Sequence, residues 1–554
     1  MPSSVDFTGR PFHFIGIGGI GMSALAYILA KRKLPIYGSD IKPSHITQRL
    51  QAMGAHIFWR QDASNFELFQ PNAGVNGSSS SSQSALSQGG APAVAAQVYK
   101  CNGNGAIAPS NLELPQVICS TAIHAANSEY LAALDLGCPI FHRSELLAAL
   151  IQDYQSIAVA GTHGKTTTSS MVGFMLLMAG LDPTIVVGGE VNAWEGNARL
   201  GEGPYLVAEA DESDGSLVKL SAKIGVVTNI ELDHPDHYDT LDQVIATFKV
   251  FAENCQTLVG CIDCQTVKHF LKPSVSYSLE AESGADYTVD DVEYGPDCTR
   301  ARIWERGTVL GQMQLKLLGQ HNLSNALAAV AVGRLLGLEF SIIAKAIAAF
   351  DGARRRFEVR GEHGGILFVD DYAHHPSEIR ATLTSARLRI DAKSFGEGNR
   401  AQKTSSIIQN SKPPRVASTT KQSQNSPQRV VAIFQPHRYS RTLAFLPEFA
   451  QSFSDADIVV ISEIYSAGEP NLGQISGEKL AALIAEHHQR VYYQPTLPSM
   501  SKFLTEILQP GDLALFLGAG NLNQIMPEVM AFYQEAQGLG VSVAESDPRS
   551  GLPA

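Results

Sequence analysis

The residues best suited to chemistry lie in a glycine-rich loop that reads GTHGKTT over residues 161–167. Backbone N–H groups of such a loop cradle phosphates, a lysine reaches the terminal phosphate, and a following hydroxyl binds Mg²⁺. Lys165 and Thr166 occupy those two positions. An apolar strand pattern precedes the loop and a helical pattern follows it, so the segment predicts a nucleotide phosphate site. The residues of the predicted phosphate loop are Gly161, Thr162, His163, Gly164, Lys165, Thr166 and Thr167.

Two acidic segments follow other predicted strands. They read EADESD over residues 209–214 and NIELDH over residues 229–234. In open α/β sheets, ligands gather at the carboxyl ends of strands. Taken singly, Glu209 is equally well interpreted as a loop charge or helix cap, and His234 as a structural histidine. Their coincidence with the phosphate loop at three strand ends predicts Mg²⁺ and phosphate chemistry.

A second glycine motif, GIGGIG over residues 16–21, lies between a predicted strand and a predicted helix near the N-terminus. Such a turn brings backbone N–H groups to a diphosphate at a helix N-terminus. Ser39 and Asp40 end the next strand, where a dinucleotide fold places its ribose-reading acid. The motif favours diphosphate binding. A nicotinamide enzyme and a tight turn without ligand remain open at this point.

Three further motifs carry polar residues at element ends. They are GQHNLSN over residues 319–325, DDYAHHP over residues 370–376 and HRYSR over residues 437–441. Arginine and histidine at strand ends suit a carboxylate or phosphate, although ordinary surface polarity is the alternative. His321 and Asn325 are interpreted either as helix caps or as adenine contacts.

Short apolar strands alternate with helices along the chain, which predicts mostly parallel sheets with helices on both faces. We predict three α/β domains with boundaries near residues 145 and 355. They comprise residues 1–145, 146–355 and 356–538, followed by a flexible tail at 539–554. Residues near 71–110 are rich in Ser, Gly, Ala, Gln and Asn, and residues near 393–428 in Ser, Gln, Lys, Asn and Pro. Both segments lack apolar periodicity, so we predict disordered surface insertions there.

Composition excludes several function classes. The 554 residues carry a net charge of −12, which disfavours a nucleic-acid partner. Seven scattered cysteines favour reduced thiols, and the CxxC at Cys261 and Cys264 is interpreted as incidental. The sequence shows neither a signal-peptide pattern nor a long apolar run, so we predict a cytoplasmic protein without a membrane partner. The oligomeric state is expected to be monomer or homodimer.

In their order along the chain, these motifs resemble those of the Mur ligases of peptidoglycan synthesis. The segments HFIGIGGIGMSALA and STAI (residues 120–123) resemble the members that add L-alanine. The resemblance implies a Rossmann-like N-terminal domain, a P-loop ATPase-like central domain and a Rossmann-like C-terminal domain. It implies ATP-dependent ligation of L-alanine to the lactyl carboxylate of UDP-N-acetylmuramate through an acyl phosphate, with ATP and Mg²⁺ required. A muropeptide-recycling ligase of this family is the alternative, although its glycine motif departs from GIGGIGMS; a folyl-polyglutamate-type ligase is a weaker one.

The resemblance also implies roles for individual residues. The implied UDP-sugar contacts are Gly16, Gly18, Gly19, Ile20, Gly21, Ser39, Asp40 and Ser120. The ATP contacts are residues 161–167 with His321 and Asn325, and the metal ligands are Thr166, Glu209 and His234. The amino-acid site comprises Tyr372, His374, Arg438 and Arg441. The catalytic set is Lys165, Glu209, His234 and Arg356, of which Arg356 would approach phosphates near the domain junction. On position alone, Asp371 and His374 are the candidate bases.

The same register places Ser221 where several relatives carry a carbamylated lysine, and Lys219 lies two residues away. We therefore do not predict that modification.

Two hypotheses from other function classes leave some of the motifs without a role. An oxidoreductase leaves the phosphate loop and the acidic segments idle, and a non-enzymatic nucleotide switch leaves GIGGIG and HRYSR idle.

Overall fold

The computed structural model describes residues 4–70, 113–395 and 429–538. The insertion predicted near 71–110 and the tail predicted at 539–554 lie outside the described residues. Of the insertion predicted at 393–428, residues 393–395 are helical and the remainder lies outside the description. The chain divides into two compact units, Met1–Leu146 and Leu147–Ala554. In the described parts, no helix is long and apolar enough to cross a membrane.

The first unit is built on a five-stranded sheet. Its strands are β1 (Phe12–Ile15), β2 (Ile36–Ser39), β3 (His56–Phe58), β4 (Gln116–Cys119) and β5 (Ile140–His142). Its helices are α1 (Ile20–Lys31), α2 (His45–Ala52), α3 (Ser128–Asp135) and α4 (Arg143–Gln152), which begins in this unit.

All strand pairs in this sheet are parallel, in the order β3-β2-β1-β4-β5. The chain leaves β1 toward β2 on one side and later returns to β4 on the other. The carboxyl end of β1 is therefore a topological switch point, where an open α/β sheet forms its ligand crevice. All four residues of β1 are buried, as expected for a central parallel strand.

The middle of the chain forms a ten-stranded sheet. Its strands are β6 (Gln155–Ala160), β7 (Thr184–Val191), β8 (Gly196–Arg199), β9 (Tyr205–Glu209), β10 (Ile224–Val227), β11 (Thr257–Cys261), β12 (Val275–Tyr277), β13 (Tyr287–Tyr294), β14 (Thr299–Glu305) and β15 (Thr308–Leu315). The helices of this region are α5 (Lys165–Met178), α6 (Leu241–Asn254), α7 (Gln320–Leu335) and α8 (Phe340–Ala349).

The order is β15-β14-β13-β12-β11-β10-β6-β9-β7-β8. From β7 to β13 the pairing is parallel, while β8 at one edge and β14 and β15 at the other are antiparallel. The Ala-rich helix α7 packs beside α5 and is buried along most of its length. Small side chains allow this close approach, which sets α7 next to the phosphate loop.

The last part of the chain forms a six-stranded sheet. Its strands are β16 (Glu358–His363), β17 (Ile366–Asp371), β18 (Arg429–Phe434), β19 (Ile458–Ser462), β20 (Val491–Gln494) and β21 (Asp512–Leu517). The helices are α9 (Pro376–Phe395), α10 (Tyr439–Ala444), α11 (Leu446–Ala450), α12 (Gly477–Ala485), α13 (Leu497–Ile507) and α14 (Met526–Gly538).

This sheet has the order β16-β17-β21-β18-β19-β20 and is parallel except for β16. Side chains of β18 alternate between two hydrophobic cores. Val430, Ala432 and Phe434 enter one core, and Val431 and Ile433 enter the other. Because successive residues of a strand face opposite sides, helices must cover both faces. The predicted α/β class with mostly parallel sheets is confirmed.

Candidate active site

Three neighbouring strands of the ten-stranded sheet carry the predicted phosphate chemistry. β6 leads into the phosphate loop, β9 ends at Glu209, and β10 leads into the segment 229–234. β6 pairs with β9 on one side and with β10 on the other, and all three are parallel. Their carboxyl ends therefore meet at one edge, as the sequence predicted.

The phosphate loop has a backbone that only glycine adopts easily. Gly161 has φ 136° and Gly164 has φ 83°, both in the left-handed half of conformational space. A Cβ on Gly161 would also overlap Thr228 Oγ1. Thr228 Oγ1 instead donates to the carbonyl of His163 at 2.6 Å. β10 thus shapes the loop and directs its backbone into the N-terminus of α5.

Lys165 is folded over the loop. Its Nζ donates to the carbonyls of Gly161 at 2.7 Å and Thr162 at 3.1 Å, and to Glu212 Oε1 at 2.8 Å. Burial alone would lower the pKa of Lys165, but the carboxylates of Glu212 and Asp211 outweigh it and raise the pKa. The lysine therefore keeps its positive charge beside the loop.

Thr166 and Glu209 form a pair of oxygen donors at the start of α5. Thr166 Oγ1 donates to Glu209 Oε1 at 2.9 Å, and Gly188 N donates to Glu209 Oε2 at 2.6 Å. A hydroxyl and a carboxylate next to a phosphate loop fit Mg²⁺, which takes oxygen ligands and often few from the protein. The structure thus brings two of the three predicted metal ligands into contact.

His234 follows β10, and Glu209 ends β9; these two strands lie on opposite sides of β6. His234 Nε2 is 3.7 Å from Glu212 Oε1 and 3.6 Å from Asp233 Oδ2. Burial lowers the pKa of His234, which favours the neutral ring that a metal ligand requires. Glu212 therefore links the lysine and the histidine.

Helix α7 brings Asn325 against the phosphate loop. A Cβ added to Gly164 would lie 2.5 Å from Asn325 Oδ1, so only glycine leaves room for this amide. His321 stands one turn earlier on the same helix and is exposed. An exposed ring beside the loop is available to stack on a base. The adenine contact stays a prediction.

The motifs DDYAHHP and HRYSR meet at the end of the six-stranded sheet. The rings of His374 and His437 are in edge contact with centroids 5.7 Å apart, and His374 also contacts the ring of Tyr372. Arg355 and Arg356 lie over the Tyr372 ring at 5.0 and 5.2 Å. Imidazole, phenol and guanidinium groups from both motifs and from residues 355–356 are therefore in mutual contact here.

The two predicted arginine clamps have separate partners. Arg438 donates to Asp236 Oδ2 at 2.7 Å. Arg441 is 3% exposed and contacts Asp233 Oδ1 through Nε at 2.9 Å and through NH2 at 2.8 Å. The structure therefore does not bring the two guanidinium groups onto one shared acceptor. It uses both to join α10 to the segment after β10, and the amino-acid role stays a prediction.

The two predicted bases differ in their surroundings. Burial raises the pKa of Asp371 to about 6, against the lowering effect of Arg356. Both Asp371 oxygens accept hydrogen bonds, from Phe357 N at 2.7 Å and from Ala373 N at 2.8 Å. Burial lowers the pKa of His374 to about 3, and its Nδ1 donates to Tyr372 O at 2.9 Å, which leaves a lone pair at Nε2.

In the first unit, the glycine motif lies at the switch point. Gly16 has φ 80°, and a Cβ there would lie 3.6 Å from Ile123, in the loop that follows Ser120. Asp40 Oδ2 accepts from Gly18 N at 2.8 Å. Gly19 precedes α1, and Ile20 and Gly21 begin it. The motif, Asp40 and the Ser120 loop are therefore neighbours.

Ser39, at the end of β2, has a buried side chain with a protein partner, and its predicted UDP-sugar contact stays a prediction. It is fully buried and donates to Glu129 Oε2 at 2.5 Å. Glu129 also accepts from Asn65 and pairs with His13. The Ser39 hydroxyl thus serves a buried polar network, and the structure gives no support to its predicted ligand contact.

Sequence models of three Mur ligase domains match the chain. The Mur ligase family catalytic domain matches residues 11–73 and 67–155, the Mur ligase middle domain 159–333, and the Mur ligase glutamate ligase domain 355–396. A protein of Nostoc punctiforme called UDP-N-acetylmuramate–L-alanine ligase is 61% identical over 97% of this chain and 99% of its own length. The chain belongs to the Mur ligase family.

Other members of this family agree in length and architecture. A protein of Trichodesmium erythraeum with the same name is 63% identical, covering 97% of this chain and 98% of its own. The crystal structure of the UDP-N-acetylmuramate–alanine ligase of Thermotoga maritima matches with a TM-score of 0.70 at 25% identity, covering 95% of this chain and 99% of that one. The murein peptide ligase of Psychrobacter arcticus shares the fold, with a TM-score of 0.61 at 20% identity.

Sequence reasoning missed several charged residues of this Mur ligase site. Glu212 pairs with Lys165, Asp233 with Arg441, and Asp236 with Arg438. Glu212 and Asp233 lay within the quoted motifs. However, the spacing of residues alone does not show which acid of a cluster pairs with Lys165 and which pairs with an arginine at helix α10.

Proposed function

We propose that this chain uses ATP to join L-alanine to the lactyl carboxylate of UDP-N-acetylmuramate, giving ADP and phosphate, as a step of peptidoglycan precursor synthesis. The observation that carries the proposal is the meeting of three strand ends around Lys165. A charged lysine, a phosphate loop and an oxygen-donor pair lie there together. Family members at 61% and 63% identity bear the name of this activity.

The first step is activation of the carboxylate, which is a poor electrophile as an anion. Its oxygen attacks the γ-phosphorus of ATP, the bond to the ADP oxygen breaks, and an acyl phosphate forms. Charge develops on the transferred phosphoryl oxygens. Lys165, held charged by Glu212 and Asp211, lies where it can stabilise that charge.

The metal fits the oxygen donors already described. Thr166 and Glu209 would hold Mg²⁺, with His234 as the third predicted ligand. Bound there, the ion would neutralise phosphate charge. Gly188 N fixes the second oxygen of Glu209, so the carboxylate is oriented before any ion arrives.

The second step is attack by the amine of L-alanine on the acyl carbon, with phosphate as the leaving group. The ammonium must first lose a proton. His374 presents a lone pair at Nε2, and Asp371 has a pKa of about 6, nearer the working range. Tyr372 and His437 flank His374, and Arg438 and Arg441 follow on the adjoining helix.

The test is phosphate release from ATP in the presence of UDP-N-acetylmuramate and each amino acid in turn. We expect release to require both substrates and to be fastest with L-alanine. Release that requires the free tripeptide of muropeptide recycling instead of L-alanine would overturn the substrate assignment. The predicted cytoplasmic location, the lack of a nucleic-acid partner and the monomeric or dimeric state stay predictions of the sequence.

A further inference from the structure

A second set of metal-ligand side chains lies at the junction of the central and last sheets, apart from Thr166, Glu209 and His234. It consists of His163, Glu231 and His375. One ligand atom from each lies within 4.8 Å of the other two. His163 comes from the phosphate loop and Glu231 follows β10, whereas His375 precedes α9.

In each of the two histidines, Nε2 is a buried ring nitrogen without a hydrogen-bond partner in the described structure. His163 Nδ1 lies 3.2 Å from Glu378 Oε1, an arrangement in which the carboxylate accepts and the lone pair remains at Nε2. Buried His163 Nε2 and His375 Nε2 make no hydrogen bond within the described structure. His375 is 4% exposed, so this nitrogen has no access to bulk water. Buried polar atoms normally have a partner, and these two share one pocket.

The distances suit a small transition-metal ion. His163 Nε2 and Glu231 Oε2 are 3.5 Å apart. Zn²⁺ binds imidazole and carboxylate at about 2.0–2.2 Å in tetrahedral geometry, which separates neighbouring ligand atoms by roughly 3.4 Å. The third ligand atom lies within 4.8 Å of the other two, so an approach of at most about 1.4 Å completes that geometry.

The supporting contacts also fit. A metal-bound histidine usually donates its other N–H to a carboxylate, as His163 does to Glu378. Ser377 donates to Glu231 Oε2 at 2.7 Å and orients that carboxylate. The Glu231 side chain is 44% exposed, which provides an entry path. Ser377 N donates to His375 Nδ1 at 3.3 Å, which places the proton of the neutral ring on Nε2. Metal binding through Nε2 moves that proton to Nδ1, so it breaks this one long contact.

We propose that His163, Glu231 and His375 form a binding site for a Zn²⁺-class ion that ties the phosphate loop to the start of α9. Two imidazoles and one carboxylate are ligands that favour Zn²⁺ over Mg²⁺. The three ligands leave a fourth position for water. The ion holds the central and last sheets in the arrangement described here.

The competing occupant of this pocket is a proton on His163. Burial would lower the pKa of His163, but the carboxylates of Glu231 and Glu378 outweigh it and raise the pKa to about 10. A metal ion must displace that proton. The two occupants are separated by direct measurement of metal binding.

The experiment titrates the nucleotide-free full chain, stripped with a chelator, with Zn²⁺ against a chromophoric chelator in excess Mg²⁺. We expect one equivalent to bind. Glu231→Gln and His375→Gln should each weaken that binding by at least about a hundredfold, because each removes a ligand. Glu378→Gln should weaken it by about 10–100-fold, as loss of a supporting partner does. His487→Ala, which removes an exposed histidine, should leave binding unchanged.

Co²⁺ provides a second readout that identifies the ligand type. The wild-type protein should show d–d bands without thiolate charge transfer, and Cys264→Ser should not alter them. Failure of the wild type to bind one equivalent of Zn²⁺, or equal affinity in Glu231→Gln, would overturn the proposal. Glu231→Gln keeps the size of the side chain, so it decides even if His375→Gln fails to fold. Ligation of L-alanine by the metal-free chain is measured separately and bears only on the proposed function.

Discussion

The chain contains two glycine loops of the same local design, and they differ in what surrounds them. Each follows a buried parallel strand and opens a helix, α1 in the first unit and α5 in the second. At residues 161–167, Lys165, Glu209 and Glu212 add charges from the loop and a neighbouring strand. At residues 16–21, Asp40 accepts from the loop amide of Gly18. The two loops share a local backbone design, but a lysine lies only in the loop at residues 161–167.

The partners of each loop show how this difference arises. The phosphate loop lies between the ends of β9 and β10, and both ends carry acids. The first loop lies between β2 and β4, whose ends carry Asp40 and Ser120. The Asp40 carboxylate accepts from the Gly18 amide, which is the position that a bound anion would take. A diphosphate at this loop would therefore compete with Asp40. Side chains from adjacent strands therefore give the two loops different charged surroundings.

The largest expected effect comes from Lys165→Ala. We expect phosphate release to fall about 10²–10³-fold, because the transferred phosphoryl group loses its cation. Affinity for UDP-N-acetylmuramate, measured by calorimetry without ATP, should change little. Turnover within twofold of wild type would show that the two loops do not differ as proposed. Because Glu212 loses its partner, Lys165→Ala/Glu212→Gln is the control for folding.

Arg438→Ala and Arg441→Ala extend the comparison to the last sheet. Each should raise KM for L-alanine by about tenfold to a hundredfold and leave KM for ATP nearly unchanged, since a charge-assisted hydrogen bond contributes about 1.5–3 kcal/mol. Arg441→Ala should also lower the melting temperature, because it leaves Asp233 buried without its cation. Arg438, whose side chain is 33% exposed, is the matched control for that loss. A rise in KM for ATP alone would assign the pair to the phosphate site.

Glu209→Gln sharpens the comparison at the metal. We expect the Mg²⁺ concentration for half-maximal turnover to rise by more than about tenfold, since a neutral amide replaces the carboxylate beside Thr166. Saturating Mg²⁺ should recover part of the rate. A Mg²⁺ titration curve that superimposes on the wild-type curve would remove Glu209 from the metal site.

Gly18→Ala tests the first loop and has the smallest expected effect. The added Cβ would lie 2.7 Å from Asp40 Oδ2, so the loop or Asp40 must shift. Such overpacking costs about 1 kcal/mol or more, which predicts a rise of about fivefold in KM for UDP-N-acetylmuramate. KM for ATP should not change. Equal rises in both constants would mean that the substitution acts through folding.

Among the elements, the short apolar strands were predicted best. The apolar runs at residues 116–119 and 430–434 each predict a strand; β4 has the first bounds, and β18 begins one residue before the second. The antiparallel strands β8, β14, β15 and β16 were not predicted. Exposed residues interrupt β15 and β16, β14 is polar at alternate positions, and β8 is short and reads GNAR, so no apolar run marks these strands.

For the site, the sequence by itself determined the phosphate loop, the acids at neighbouring strand ends and the family, because these depend on residue type and local spacing. Only the tertiary structure decided which carboxylate meets which cation. Glu212, and not Glu209, forms the ion pair with Lys165. Asp233, after β10, pairs with Arg441, which lies 208 residues further along the chain. It also turned Ser39 inward to Glu129 and joined His163, Glu231 and His375. Such pairings depend on strand order and side-chain direction, which local sequence does not encode.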